Sequence, residues 1–215
     1  MPGLTRHREK QMRVTLQNAS KSFGREHVIR ELSHVFEPGS RTALLGQNGS
    51  GKSTLLQLVG GISIPTKGTV THELDGKLIE PEEVYNHISI AAPYMSLYEE
   101  LSLREAIMTH RRFKALLERA GVEEVACIAL LDKHLDKPVR DLSSGMKQRL
   151  KLTLAILSDT ALLLLDEPMS NLDANGSAWF RDLLGKNLGS RTLVVASNRQ
   201  AEETFACVRS VQLGG

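Results

Sequence analysis

One eight-residue stretch, Gly46-Gln47-Asn48-Gly49-Ser50-Gly51-Lys52-Ser53, limits what this chain can fold into more than any other. An apolar run ending at Leu45 leads into it, and "KSTLLQLVGG" continues from it as a helix stopped by Gly60 and Gly61. Strand, glycine-rich turn and helix in that order are the context that a G-x-x-x-x-G-K-S loop requires. Glycine lets successive backbone N–H groups turn inward around phosphate oxygens where a Cβ would obstruct them. The helix that starts near Lys52 adds its positive end. Lys52 can reach the β- and γ-phosphates, and the Ser53 hydroxyl can complete a Mg²⁺ shell. The loop therefore predicts a nucleoside triphosphate held with Mg²⁺, with Gly46, Asn48, Gly49, Ser50, Gly51, Lys52, Ser53 and Thr54 as its cradle.

A second segment supplies matching chemistry. "TALLLLDEP" is a continuous apolar strand of the kind buried on both faces of a parallel sheet. It places Asp166 and Glu167 at its C-terminal end, where open α/β sheets bind ligands. Asp166 is expected to hold Mg²⁺ through water and Glu167 to polarise an attacking water. Phosphoryl transfer depends on positioning and charge stabilisation, and these groups suffice in kind.

Around these two segments the pattern is mixed. "MRVTLQNAS" alternates like a strand, and "HVIRELSHVFEPGSRTALLG" reads as two strands around Glu37-Pro38-Gly39. "IPTKGTVTHELDG" is strand and turn, and "HISIAA" a buried strand. Helical periods run from Leu101 to Leu157, with breaks at Gly121 and near Pro138. A helix from about Asn175 and the strand "RTLVVAS" complete the order. The predicted fold is α/β: a P-loop core carrying a β-rich N-terminal subdomain and an inserted α-helical subdomain at about 95–158. Residues 1–11 are expected to form a flexible tail before one domain at 12–215.

Composition excludes several alternatives. A net charge of +2 and 4% aromatic residues, with Trp179 the single tryptophan, argue against a nucleic-acid partner. Cys127 and Cys207 form no C-x-x-C pair, which fits a reducing compartment. The basic N-terminus has no apolar core of a signal peptide, and runs such as "ALLLL" are too short to span a bilayer. A membrane role is expected to come through a partner.

"LSSGMKQR" at 142–149 is another helix start that could meet an anion, opened by Ser143 and Gly145. Together with the glycine loop, "LLLLDEP" and the "SNLD" after it, it makes the chain from about Met12 onward resemble the ATPase subunit of ATP-binding cassette (ABC) transporters. The resemblance implies ATP and Mg²⁺ as cofactors. It also implies that two copies pair head to tail as a homodimer, with Ser143, Gly145 and Asp173 of one copy completing the pocket of the other. Phe23 of "SKSFG" matches the aromatic that this family stacks on adenine, the alternative being a core phenylalanine. The "GMKQR" ending resembles the exporter-type branch. The implied place is cytoplasmic, on the inner face of the membrane through an integral permease subunit. Tyr94, Met95 and Tyr98 in "APYMSLYEEL" are expected to dock it, in a groove suited to a short helix; internal packing is the alternative.

Three positions depart from the family pattern. Ser144 and Met146 stand where the signature usually has glycine and glutamine. Pro93 falls where the family has a glutamine contacting the metal or its water, so that contact is absent, water-mediated or taken over by Tyr94 or Ser89. Asn198 replaces a histidine on the γ-phosphate; its amide can still donate a hydrogen bond but cannot shuttle a proton. Catalysis is thus expected from Glu167, Asn198 and Lys52, at a reduced rate. The rival readings are a soluble cassette ATPase of the iron–sulfur assembly type and a subunit that binds nucleotide with little hydrolysis.

Overall fold

The computed structural model describes residues 10–117, 120–198 and 200–214. Two sheets organise it. The first contains β1 (Met12–Phe23), β2 (Glu26–Phe36), β4 (Lys67–Leu74) and β5 (Lys77–Ile79), antiparallel in the order β2-β1-β4-β5. The second contains β3 (Arg41–Leu45), β6 (Ile88–Ala91), β7 (Leu162–Asp166), β8 (Thr192–Ser197) and β9 (Arg209–Gln212), parallel in the order β6-β7-β8-β3-β9. The expected strands are all present. β9 was not anticipated, because its four residues are mostly exposed and alternate too briefly to stand out.

β1 buries Met12, Val14 and Leu16, then Ala19, so its inward face shifts by one residue. The shift occurs at Asn18, whose φ of 47° makes a bulge; asparagine tolerates the left-handed region better than most residues. β7 and β8 are buried at every position, as central parallel strands must be.

α1 (Lys52–Val59) follows β3 and packs Leu55, Leu56, Leu58 and Val59 into a core shared by both sheets. The other face of the parallel sheet is covered by α4 (Ser144–Leu157) and α5 (Ala174–Asn187), which share a second core with α2 (Leu103–Phe113) and α3 (Val122–Ile128). α2 begins with a capping box: Ser102 Oγ accepts from Glu105 N–H at 3.2 Å and Ser102 N–H donates to Glu105 Oε2 at 2.8 Å. A short α6 (Gln200–Glu203) follows β8.

Thr192 stitches the two sheets together. Its hydroxyl donates to Met12 O at 2.7 Å and accepts from Gly39 N–H at 3.0 Å. Residues 1–9 of the expected tail lie outside the described residues, while Lys10 pairs with Asp159 at 3.0 Å. Among the described residues no helix is long and apolar enough to cross a membrane.

Candidate nucleotide site

The loop between β3 and α1 is shaped by close approaches. A Cβ on Gly46 would lie 2.4 Å from Ser50 Oγ and 2.5 Å from the Leu213 carbonyl, so only glycine fits between loop and β9. Gly49 and Gly51 have φ of 82° and 91°, a conformation that costs glycine nothing. Gly51 packs against Val28 and Ile29, so the antiparallel sheet buttresses the loop. Lys52 is 6% exposed, and its ammonium donates to the carbonyls of Gly46 at 2.9 Å and Gln47 at 2.8 Å. The cation is thereby held over the turn with one N–H of its three still to donate.

Asp166 ends β7 beside α1. It is 2% exposed, and neither carboxylate oxygen has a hydrogen-bond partner of normal geometry among the described residues. Burial pushes its carboxyl up from the usual range, the neighbouring Ser53 hydroxyl pulls it down, the Glu167 charge raises it and Lys52 lowers it. A buried carboxylate with two unpartnered oxygens next to a hydroxyl fits a hard divalent cation that also takes phosphate and water ligands. It does not fit an all-protein cage: among the described residues no cluster of three or more His, Cys, Asp or Glu could hold a metal.

Glu167 follows with φ 45°, uncommon for a residue other than glycine and often found where function fixes the backbone. Glu167 N–H donates to Ala196 O at 2.9 Å, and Ser170 donates to Glu167 O from its N–H at 3.0 Å and its hydroxyl at 2.8 Å. Asn198, just past β8, donates from Nδ2 to Glu167 Oε1 and to Asn48 Oδ1, both at 3.3 Å. The structure thus brings together Asn48, Lys52, Ser53, Asp166, Glu167 and Asn198.

Other expected residues lie apart from this group. Ser143 caps α4, accepting from Met146 N–H at 3.2 Å, and Gly145 sits close to the Asn171 carbonyl. Asp173 caps α5, accepting from Gly176 N–H at 2.7 Å. Among the described residues no hydrogen bond links Ser143, Gly145 or Asp173 to the loop at 46–53. Phe23, at the end of β1, is 53% exposed with the Lys21 ammonium 5.2 Å from its ring centroid. It is a surface aromatic, which disposes of the core alternative.

Pro93 occupies the second position of a turn closed by Met95 N–H to Ala92 O at 3.2 Å, where its fixed φ is favourable. The turn sends Tyr94 towards the site: its hydroxyl lies by the Gln57 side chain and within electrostatic reach of Asp166. Its phenol is pushed up to about 12, by burial first and by Asp166 second, with Gln57 opposing. Ser89 does not share this role. It is buried, and its hydroxyl is paired with Thr160 at 2.8 Å, at the far end of β7 from Asp166. Met95 and Tyr98 line an apolar groove beside β6, whereas Tyr94 does not.

Two residues with no role assigned from the sequence hold the segment after Glu167. Gln148 Nε2 donates to Pro168 O at 2.8 Å, and Glu203 accepts from Met169 N–H at 3.1 Å while also binding the Ser197 hydroxyl. Gln148 stands inside "LSSGMKQR" and could have been found there. Glu203 gives no such signal, because its burial depends on how α6 folds back.

Comparison with known proteins bears on the family and the fold. A family model described as ABC transporter matches residues 29–170. The Nod factor export ATP-binding protein I of Sinorhizobium fredii is 32% identical over 204 residues, covering 91% of this chain and 58% of that protein. The glucose import ATP-binding protein GlcV of Saccharolobus solfataricus is 35% identical over 205 residues, covering 89% and 57%. The chain therefore spans a little under six-tenths of the length of these relatives, and their names point both outward and inward. Among solved structures, a bacterial Atm1-family ABC exporter with ATP bound superposes with a TM-score of 0.79 at 22% identity, covering 94% of this chain and 37% of that one. A dimeric bacterial ABC transporter cassette gives 0.77 at 23%, covering 93% and 94%.

Proposed function

The chain belongs to the ABC transporter family, and from that premise we propose that it is an ATP-hydrolysing subunit that drives a membrane transporter. The observation that carries this reading is the Asn48–Asn198–Glu167 link at the C-terminal ends of β3, β7 and β8, beside the unpartnered carboxylate of Asp166.

Lys52 and the backbone N–H groups from Asn48 to Ser53 would hold the triphosphate, with Ser53 and Asp166 as ligands for Mg²⁺. A bound divalent ion would neutralise charge on the phosphate oxygens. Glu167, fixed by its backbone bonds, orients a water and accepts its proton. Asn198 keeps the Glu167 carboxylate turned to the loop and has a second N–H to present to a phosphate oxygen. Tyr94 stands in for the missing side chain of Pro93, joining Gln57 of α1 to the surface that carries Met95 and Tyr98.

Closure of the site is assigned to a second copy, whose Ser143 and Gly145 would face the loop; local capping of α4 by Ser143 leaves its helix start preorganised for an anion. Phe23 would receive the adenine. Outward transport is our preferred direction, on "GMKQR" and the Nod factor export relatives, with an integral membrane permease as partner and the cytoplasmic membrane face as location.

Steady-state phosphate release from Mg·ATP by the purified chain, beside Glu167→Gln, tests the enzyme reading. Turnover lost in the variant with nucleotide still bound is expected. Turnover unchanged by the substitution would remove Glu167 from the mechanism.

A further inference from the structure

β7 and β8 separate where the site begins. At the end of their paired stretch Glu167 N–H donates to the Ala196 carbonyl at 2.9 Å. Beyond it, Glu167 and Asn198 each stand on a segment that leaves the sheet, and their side chains meet at 3.3 Å. By about 3.6 Å such a contact is no longer a hydrogen bond, so a slip of about 0.3 Å between the two segments would open it. Whatever fixes that spacing past the ends of the strands therefore bears on hydrolysis.

One side chain spans the gap. Glu203, the last residue of α6, is 1% exposed and turns its two carboxyl oxygens to two different segments. Oε1 accepts from Met169 N–H at 3.1 Å, two residues past Glu167. Oε2 accepts from the hydroxyl of Ser197, the residue before Asn198. Met169 and Ser197 are themselves buried, so water cannot take over either bond. A carboxyl group is costly to bury unless it is hydrogen-bonded, and here both strand ends supply the donors. The chain after α6 is fixed in turn. Cys207 N–H donates to Thr204 O at 2.8 Å, and the Phe205 ring meets Phe180 of α5 edge-on at 6.2 Å. Among the described residues no hydrogen bond joins Glu203 to the loop at 46–53. The brace thus reaches the residues assigned to hydrolysis and bypasses the phosphate cradle.

We infer that Glu203 is a positioning residue for hydrolysis, whose carboxyl group sets the spacing between Glu167 and Asn198 without taking part in nucleotide binding. The inference rests on the ATPase reading above and adds a residue that acts through two others. Glu203→Asp, one methylene shorter, cannot reach both partners. Glu203→Gln keeps an acceptor for Met169 N–H and gains an amide that donates to the Ser197 hydroxyl.

The test compares these variants in the full chain. Glu203→Asp should lower kcat for Mg·ATP about tenfold while KM and ATP affinity stay within about twofold, and Glu203→Gln should restore most of the rate. In an Asn198→Ala background the aspartate substitution should cost little more, because the contact it disturbs is already gone. An unchanged kcat, a loss of ATP affinity, or a full loss of rate repeated without Asn198 would overturn the inference. Should Glu203→Asp fail to fold, Ser197→Ala removes the brace at its other end and carries the same expectations. The side-chain amide resonances of Asn198, in protein carrying isotope-labelled asparagine, give a readout without turnover. They should move in Glu203→Asp, as in Glu167→Gln, and hold their place in Glu203→Gln. Resonances unmoved in the aspartate variant would overturn the inference whether or not the chain hydrolyses ATP. A native chain with no turnover would fault the ATPase reading and leave this inference to the resonances.

Discussion

Gln148, one turn into α4, donates from Nε2 to the carbonyl of Pro168 at 2.8 Å, so the helix opened by Ser143 grips the chain one residue after Glu167. Gln148 is 6% exposed, and water cannot replace the bond. Gln148→Leu should cost about 1–3 kcal/mol of stability, the penalty for an unpaired buried carbonyl. It should also lower kcat more than it changes KM, because the Glu167 backbone loosens. Urea denaturation together with phosphate release checks both effects.

Asn198 reaches both of its partners at 3.3 Å, long for a hydrogen bond. Asn198→Ala should therefore reduce kcat by about ten- to a hundredfold, at or below the usual effect of deleting a preorganised donor. Asn198→Asp should be worse. A carboxylate there cannot donate to Glu167, to Asn48 or to a phosphate oxygen, and it adds like charge beside Glu167. Phosphate release by the two variants, measured beside nucleotide affinity, checks both effects.

Gly46→Ala forces a methyl to within 2.5 Å of Ser50 Oγ and Leu213 O. The loop or β9 must shift, at about 1–3 kcal/mol. Thermal unfolding with and without ATP should show a lower midpoint and a smaller ATP-induced rise. Gly49→Ala meets no atom within 4 Å, and its penalty comes from φ alone. It should be the milder of the two.

His110 Nε2–H donates to Ser158 Oγ, which itself donates to Leu154 O, so the part-buried imidazole is held by a bond that its neutral form already makes. Its pKa falls from 6.5 to about 4 on folding, through burial and then Lys114. Between those values the unfolded chain binds more protons. Stability should therefore decline as pH drops from about 6.5 towards 4, by at most about 3 kcal/mol for this group. His110→Gln keeps a donor for Ser158 and should flatten that slope, as urea midpoints at about pH 7 and 5 would reveal.

How much could be read in advance depended on whether neighbours in sequence carried the information. The loop at 46–53 and the end of β7 were legible because strand, turn and helix chemistry lies in consecutive residues. Family membership followed from four such segments in order. Asn198 could be placed by motif, but its bridge to Asn48 could not, since it arises from the parallel pairing of β3 with β8. Between Tyr94 and Ser89, the two neighbours open to take over the contact missing at Pro93, the sequence could not choose, because a hydroxyl in a buried strand gives no sign that Thr160 already holds it. Glu203 was invisible for the same reason: burial of a charged side chain is a property of packing.

β3 carries the phosphate loop, yet its flanking strands, β8 and β9, are encoded far downstream at Thr192–Ser197 and Arg209–Gln212. On the ribosome the loop would emerge early and wait, its supporting strand unpaired on both edges, until nearly the whole described chain had been made. Nucleotide therefore cannot rescue a truncated product, and a half-made chain exposes the apolar β3 to chaperones and to its own kind. A stop codon just before β9 should weaken ATP binding although every assigned contact lies upstream of it, because β3 is then left open along one edge.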